Sequence, residues 1–165
     1  MPIDVTVEQR GTFAALETLE NRSQNLGALH RIWAPLATAG VDRNFQRQSG
    51  AGRAWEPLAP LTIAIKGHSR ILHHDGNLRR GIRALHDDTG VVVGPAEAHE
   101  HYAYIQQFGG EAGPNPPNQA VLELADGEVA VVTRRVQIPA RPYNQLSEFD
   151  IDQLEDAAVR FFEDD

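Results

Sequence analysis

Apolar and polar positions along the chain follow two different periods, which predict a mixture of strands and helices. Residues 3–7 alternate between apolar and polar side chains, and this period of two predicts a strand. Helical spacing then predicts a short helix to about Arg22 and a long helix over residues 26–48. Pro35 lacks a backbone donor, so it should kink the long helix or end a first segment near Ala34.

Turn-forming residues divide the middle of the chain into short elements. Pro60 should open a short helix that runs through Lys66 and stops at Gly67. Residues 78–93 are predicted to form a hairpin, and residues 96–107 a short helix that ends before two glycines.

A second hairpin and a last helix are predicted in the C-terminal third. Residues 121–124 should pair with residues 129–133 around an Asp-Gly turn, which follows a proline-rich loop. Residues 138–143 are expected to be extended, and Ser147 is a good N-cap for the last helix. The apolar stripe of that helix comprises Ile151, Leu154, Ala158, Phe161 and Phe162.

The order of these elements predicts an α+β fold. A small, mostly antiparallel sheet should pack against the long N-terminal helix and the C-terminal helix, with a protruding hairpin. The length of 165 residues suits one domain over residues 1–165, with a loop and hairpin inserted at about residues 111–136.

Composition narrows the functional classes. The chain has no cysteine, which excludes disulfides and thiolate metal sites. No apolar run approaches the roughly 20 residues that span a membrane, so we expect a chain made in the cytoplasm with no membrane partner. The formal net charge of −8 disfavours broad binding to phosphate backbones, and we expect no sequence-specific nucleic-acid partner.

Two groups of residues carry candidate chemistry. His99 and His101, near two glutamates, have ligand types that zinc accepts; the alternative is a set of partly exposed histidines around a turn. Arg79 and Arg83 should face one way on the first predicted hairpin and Arg80 the other, either in solvent or against a neighbouring subunit. Because no catalytic motif is present, we expect no enzyme activity, no cofactor and no metal.

Four motifs follow one another along the chain, and together they resemble a known family. The first is Phe45 followed by a Gly-rich loop and Trp55-x-Pro57-Leu58-x-Pro60-x-Thr62-x-x-x-Lys66, and the second is Leu72…Gly76-x-Leu78-x-x-x-Ile82. The third is Tyr102-Ala103-Tyr104-Ile105-Gln106-Gln107-Phe108-Gly109-Gly110, and the fourth is Ile138-Pro139-Ala140-Arg141-Pro142-Tyr143. Their order and spacing resemble the virion-morphogenesis, or tail-completion, family of Mu-like and related temperate phages, over nearly the whole chain.

The resemblance implies a structural virion protein that completes or terminates the tail at its head-proximal end. Related neck and tail-terminator proteins form rings, usually of six subunits, that cap the tail tube and meet the neck or connector protein. The resemblance implies neither catalysis nor a cofactor. The motif residues with a structural role would be Trp55, Pro57, Leu58, Tyr104, Gln107, Phe108, Gly109, Pro139, Arg141 and Pro142.

The second predicted hairpin is our candidate for the subunit interface. It carries apolar side chains on both faces, and a two-stranded ribbon is marginally stable alone, so it should pack on its own body or on a neighbouring copy, and we predict the neighbouring copy. The residues concerned are Val121, Leu122, Leu124, Val129 and Val131. Arg141, in contrast, should bind the acidic last helix or a carboxylate of a partner.

Other functions remain open at this point. The chain could be a head-side neck adaptor or a minor capsid assembly factor, which pull-down of a portal protein rather than the tail-tube protein would indicate. A metal-dependent enzyme using His99 and His101 would require a stoichiometric metal. A DNA-binding accessory factor would show salt-dependent retention of DNA.

Overall fold

Six α-helices and eight short strands make up the part of the chain that a computed structural model describes, residues 10–50, 52–115 and 118–163. The predicted strand over residues 3–7 lies outside the described residues. The helices are α1 Arg10–Ser23, α2 Leu26–Arg47, α3 Pro60–Lys66, α4 Asn77–Gly81, α5 Glu100–Phe108 and α6 Glu148–Glu163, with a 3₁₀ turn at Glu97–His99 before α5. The strands are β1 Ser49–Gly50, β2 Arg53–Ala54, β3 Ile82–His86, β4 Val91–Pro95, β5 Gly110–Ala112, β6 Ala120–Glu123, β7 Val129–Val132 and β8 Val136–Ile138.

The predicted α+β class is confirmed, and the strands are antiparallel. They form four two-stranded units in the described residues, namely β1–β2, β3–β4, β5–β8 and β6–β7. The core lies where α2 packs on β3 and β4 and is closed by residues from the later segments. Its buried members are Val41, Phe45, Trp55, Leu78, Ile82, Ala103 and Tyr143.

Helix α2 runs unbroken past Pro35, so of the two predicted alternatives the end of a first segment near Ala34 was wrong, and a kink stays a prediction. Proline removes one backbone hydrogen bond from a helix interior. Pro35 itself is exposed, whereas Ala34 and Ala37 on either side are buried on the core face. Burial of one continuous apolar face on both sides of the proline offsets the lost hydrogen bond.

Residues 78–81 form helix α4 rather than the start of the first hairpin, which corrects the prediction for this segment. Leu78 and Ile82 are both buried, and a spacing of four places them on one face of a helical turn. Arg79 consequently does not share a strand with Arg83. Its guanidinium instead binds the carboxylate of Asp42 on α2, with Nε 2.5 Å from Oδ1 and Nη2 2.8 Å from Oδ2.

The predicted N-cap of the last helix at Ser147 is confirmed, and Ser147 and Asp150 bind each other there. The backbone N–H of Asp150 donates to the hydroxyl of Ser147 at 3.4 Å. The Oδ2 atom of Asp150 accepts hydrogen bonds from the backbone N–H of Ser147 at 2.8 Å and from its hydroxyl at 2.6 Å. The guanidinium of Arg43 on α2 donates to Oδ1 of the same carboxylate, with Nε at 3.0 Å. Asp150 is only 3% exposed, so this charge-assisted pair fixes α6 on α2.

The apolar stripe of α6 is smaller than predicted. Leu154, Ala158, Phe161 and Phe162 are partly buried, but Ile151 is 45% exposed and does not belong to the packed face. The buried polar Asp150 occupies the position next to it instead, because the pair with Arg43 sets the rotation of the helix.

The pKa of Asp150 should make part of the stability depend on pH. Burial acts to raise this pKa, but the hydrogen bonds from Ser147 and Arg43 outweigh it and hold the pKa below 3.8. A lowered pKa stabilises the fold at neutral pH, and this stabilisation is lost as the pH falls below about 4.

We expect Asp150→Asn to lower the free energy of unfolding at pH 7 by about 2–3 kcal/mol, the cost of losing hydrogen bonds to a buried charge. Urea denaturation from pH 7 down to pH 2.5 should show the difference from wild type shrinking at the acid end. The exposed Asp152→Asn, on the same helix, is the matched control and should leave the profile unchanged. A difference that stays constant with pH would contradict the role of the charge.

Candidate functional site

The motif residues converge on the extended segment that follows β8. Hydrogen bonds from two sides hold this segment. On the side of α5, the backbone N–H of Arg141 donates to the carbonyl of Gln106 at 2.8 Å. The side-chain oxygen of Gln107 accepts from the backbone N–H of Asn144 at 3.0 Å. On the side of α2, Nδ2 of the buried Asn44 donates to the carbonyls of Tyr143 at 2.9 Å and of Gln145 at 2.6 Å.

Arg141 is an internal clamp for the backbone. Its side chain is buried, and Nε donates to the carbonyl of Glu56 at 3.2 Å while Nη2 lies 3.5 Å from the carbonyl of Pro57. Burial lowers the pKa of Arg141, and the charge of Glu56 opposes that change. The prediction that Arg141 binds the acidic last helix was therefore wrong, and its alternative, a carboxylate of a partner, stays a prediction. The nearest acceptors are main-chain carbonyls of the Trp55 motif.

An aromatic cluster joins helix α2 to two motif segments, those of Trp55 and Tyr143. The ring of Phe45 meets the ring of Trp55 edge-on at 5.9 Å and that of Tyr143 at 5.3 Å. Burial raises the pKa of Tyr143 to about 12, so the phenol stays neutral. The indole Nε1 of Trp55 is buried and has no hydrogen-bond partner among the described residues. The contribution of Trp55 to this cluster is therefore apolar packing.

Other motif residues lie at the surface. Tyr104 and Phe108 are 67% and 64% exposed, and their rings lie one turn apart on α5 in a tilted contact with centroids 4.8 Å apart. Pro57 is exposed, and Leu58, Pro139 and Pro142 are half-buried. Gly109 has a φ of 74°, and a Cβ there would lie 2.8 Å from the backbone nitrogen of Ala140. The motif set thus combines packing residues with one exposed aromatic pair.

The candidate interface residues lie on a ribbon with two unlike faces. Val121 pairs with Val131, and Glu123 pairs with Val129, across β6–β7. Val121 is 67% exposed, Val131 55% and Val129 66%. Leu122 and Leu124 point to the opposite, half-buried side. The tip touches the body, since the N–H of Ala125 donates to the carbonyl of Ala64 on α3 at 2.9 Å. A role of this ribbon in subunit docking remains a prediction.

The ribbon leaves and re-enters the body at one place. Strands β5 and β8, which flank it, pair with each other, and Ala112 lies directly opposite Val136. At this base the guanidinium of Arg135 donates to the carbonyl of Glu111 at 3.1 Å. Residues 113–135 therefore connect two positions, Ala112 and Val136, that lie next to each other in the fold.

The histidines are dispersed in the described residues. His99 stacks on Tyr102 at 5.5 Å, and His68 meets His73 at 5.6 Å. The side chain of His101 lies outside the described part. No group of three or more histidine, aspartate and glutamate side chains suited to a metal occurs in that part. Burial lowers the pKa of His73, so this imidazole is held neutral.

A groove between α2 and β3 is a site that the sequence did not reveal. Its volume is about 680 Å³, and its floor is apolar. Arg31 and Arg83 on its edges are exposed, and the Asp42–Arg79 pair closes one side. The hydrogen bond from Arg79 lowers the pKa of Asp42. These residues are far apart in sequence, so no local pattern could have indicated the groove.

These features define an α+β fold with a core that the motif residues help to pack and several exposed apolar surfaces. The family model of the phage virion morphogenesis family matches residues 7–163, and the chain belongs to this family. It is therefore a virion-associated phage protein with a structural or assembly role. No curated protein and no solved structure matches the chain significantly. In the described residues, no helix is long and apolar enough to cross a membrane.

The close contact between the backbone of Gly50 and that of Pro142 allows a test of how the extended segment packs. A Cβ at Gly50 would lie 1.7 Å from the carbonyl oxygen of Pro142, so any side chain must push the extended segment away. We expect Gly50→Ala to lower the free energy of unfolding by about 3 kcal/mol, measured by urea denaturation. The control is Gly90→Ala, where nothing lies within 4 Å of the added Cβ. Equal stabilities of the two variants would contradict the contact.

Proposed function

We propose that this protein completes or terminates the phage tail at its head-proximal end, as one subunit of a ring of six copies. Membership of the phage virion morphogenesis family supports a role in the particle. In this proposal the protein is not an enzyme and has no cofactor. Its partners are further copies of itself, the tail-tube protein and the neck or connector protein, and the ring assembles in the host cytoplasm before it joins the virion.

The exposed valine face of the β6–β7 ribbon is the observation that carries the ring. Three valines that are each more than half exposed on one side of a two-stranded ribbon present apolar area without a partner in the described chain. Burial of their remaining surface contributes about 1 kcal/mol each, or about 3 kcal/mol per contact. That amount changes a dissociation constant by about 100-fold, which is enough to decide whether a ring persists.

The first test substitutes this face without disturbing the strands. Threonine keeps the branched shape and strand preference of valine but adds a hydroxyl. We expect Val121→Thr, Val129→Thr and Val131→Thr together to convert rings into folded monomers, measured by light scattering coupled to size exclusion. Val92→Thr, on the 71% exposed position of β4, is the control and should leave the ring intact.

A shortened chain keeps this test independent of side-chain chemistry. Because Ala112 lies opposite Val136, an Asn-Gly turn in place of residues 113–135 would join β5 and β8 as a two-residue hairpin. The shortened chain should be monomeric with an unchanged helical circular dichroism signal, corrected for length. Stable rings formed by the shortened chain would refute the ribbon as the subunit contact.

Position in the particle requires a separate measurement. We expect cryo-electron microscopy of the phage, with this chain located in the reconstruction, to place it between the tail tube and the connector. In a pull-down, the purified ring should retain the tail-tube protein. Retention of the portal protein alone, or density confined to the head, would indicate a head-side adaptor instead.

A further inference from the structure

We infer that the acidic valine face of the β6–β7 ribbon docks on the basic groove between α2 and β3 of a second copy. This inference rests on the proposed ring and names the two surfaces that meet in it. A ring built from identical subunits needs two different, complementary surfaces on each copy, because its contacts are head-to-tail. The ribbon and the groove are two such surfaces.

The groove combines an apolar floor with a positive rim. Its floor is formed by small or apolar residues of the two elements, including Pro35, Ala39 and Ala84. Arg31 and Arg83 are exposed on the rim, together with His86. Asp42 is the one acidic residue that lines the groove among the described residues, and Arg79 already binds it. The arginines at the rim therefore leave an excess of positive charge.

The ribbon has the opposite character. Residues 118–133 contain three acidic residues, Glu123, Asp126 and Glu128, and neither lysine nor arginine. Glu123 stands on the same exposed face as the valines, since it pairs with Val129. An apolar strip edged by carboxylates fits an apolar floor edged by guanidinium groups. Such complementarity fixes which patch binds which and in what orientation.

The ribbon and the groove of one chain do not cover each other. The tip of the ribbon is held on α3 by the bond between Ala125 and Ala64, while the groove is built from α2 and β3. The valine face stays exposed there and the groove stays open. A second copy can therefore occupy the groove without any rearrangement of the first.

Charge reversal on each surface tests the pairing. We expect Arg31→Glu with Arg83→Glu to weaken ring assembly about 100-fold, and Glu123→Lys with Glu128→Lys to do the same, as analytical ultracentrifugation would measure. Asp126 is left intact because its carboxylate accepts the N–H of Glu128 in the turn. All four changes in one chain should restore the ring to within about threefold of wild type, since the attraction is re-created with its signs exchanged.

A matched control changes the same net charge elsewhere. Arg47→Glu with Arg53→Glu alters two exposed arginines outside the groove and should leave assembly unchanged. Circular dichroism should show that each variant keeps the wild-type fold. A variant that failed to fold would also lose assembly. The quadruple variant excludes this explanation, because only a folded chain can regain the ring.

The outcomes separate this inference from the proposed function. Rings that dissolve on threonine substitution of the valines but survive reversal at Arg31 and Arg83 would keep the proposed ring and overturn the pairing. A groove variant that loses binding to duplex DNA while its rings persist would assign the groove to nucleic acid. A wild-type chain that stays monomeric at all concentrations would overturn both.

Discussion

Side chains that donate to main-chain carbonyls hold this fold together. Asn44 binds the carbonyls of Tyr143 and Gln145, and Arg141 binds that of Glu56 and lies near that of Pro57. Buried carbonyls must find donors, and the short strands here supply few. Two buried polar side chains therefore replace the ladder of a continuous sheet. The aromatic cluster packs only because these bonds bring its segments together.

This arrangement separates a body whose segments are bonded to each other from a projecting part. The motif segments after α2 and around α5 are bonded to each other over long sequence distances, whereas residues 113–135 are attached at one base and touch α3 at the tip. The four motifs consequently belong to the bonded body rather than to the projecting part. Most motif residues pack in the core or bind the backbone. The surfaces proposed for docking lie largely outside the four motifs.

Local signals predicted local elements well. Pro60 and Gly67 delimit α3 as expected, the Asp-Gly turn joins β6 and β7, and Ser147 caps α6. Predictions failed where a distant partner decided the outcome. Arg79 is drawn to Asp42 on α2, and Arg141 to main-chain carbonyls of another segment. The periodicity of apolar positions predicts one element at a time, so it cannot predict which other element packs beside that element.

The groove illustrates the same limit for the candidate site. Arg31 and Arg83 become neighbours across the groove only when α2 packs on β3. The ribbon, in contrast, could be recognised from its own sequence, because its alternation and turn are contiguous. The proposed pairing of the groove with the ribbon therefore could not be predicted from the sequence, although the ribbon itself could.

The two tryptophans occupy positions that make them separate optical reporters. Trp33 donates its indole N–H to the carbonyl of Leu154 at 2.8 Å and so senses whether α6 is seated on α2. Trp55 lies in the aromatic cluster, and its buried indole nitrogen has no hydrogen-bond partner in the described part of the chain, so it senses whether the extended segment is in place. With one tryptophan replaced at a time, fluorescence distinguishes loosening of the last helix from opening of the core.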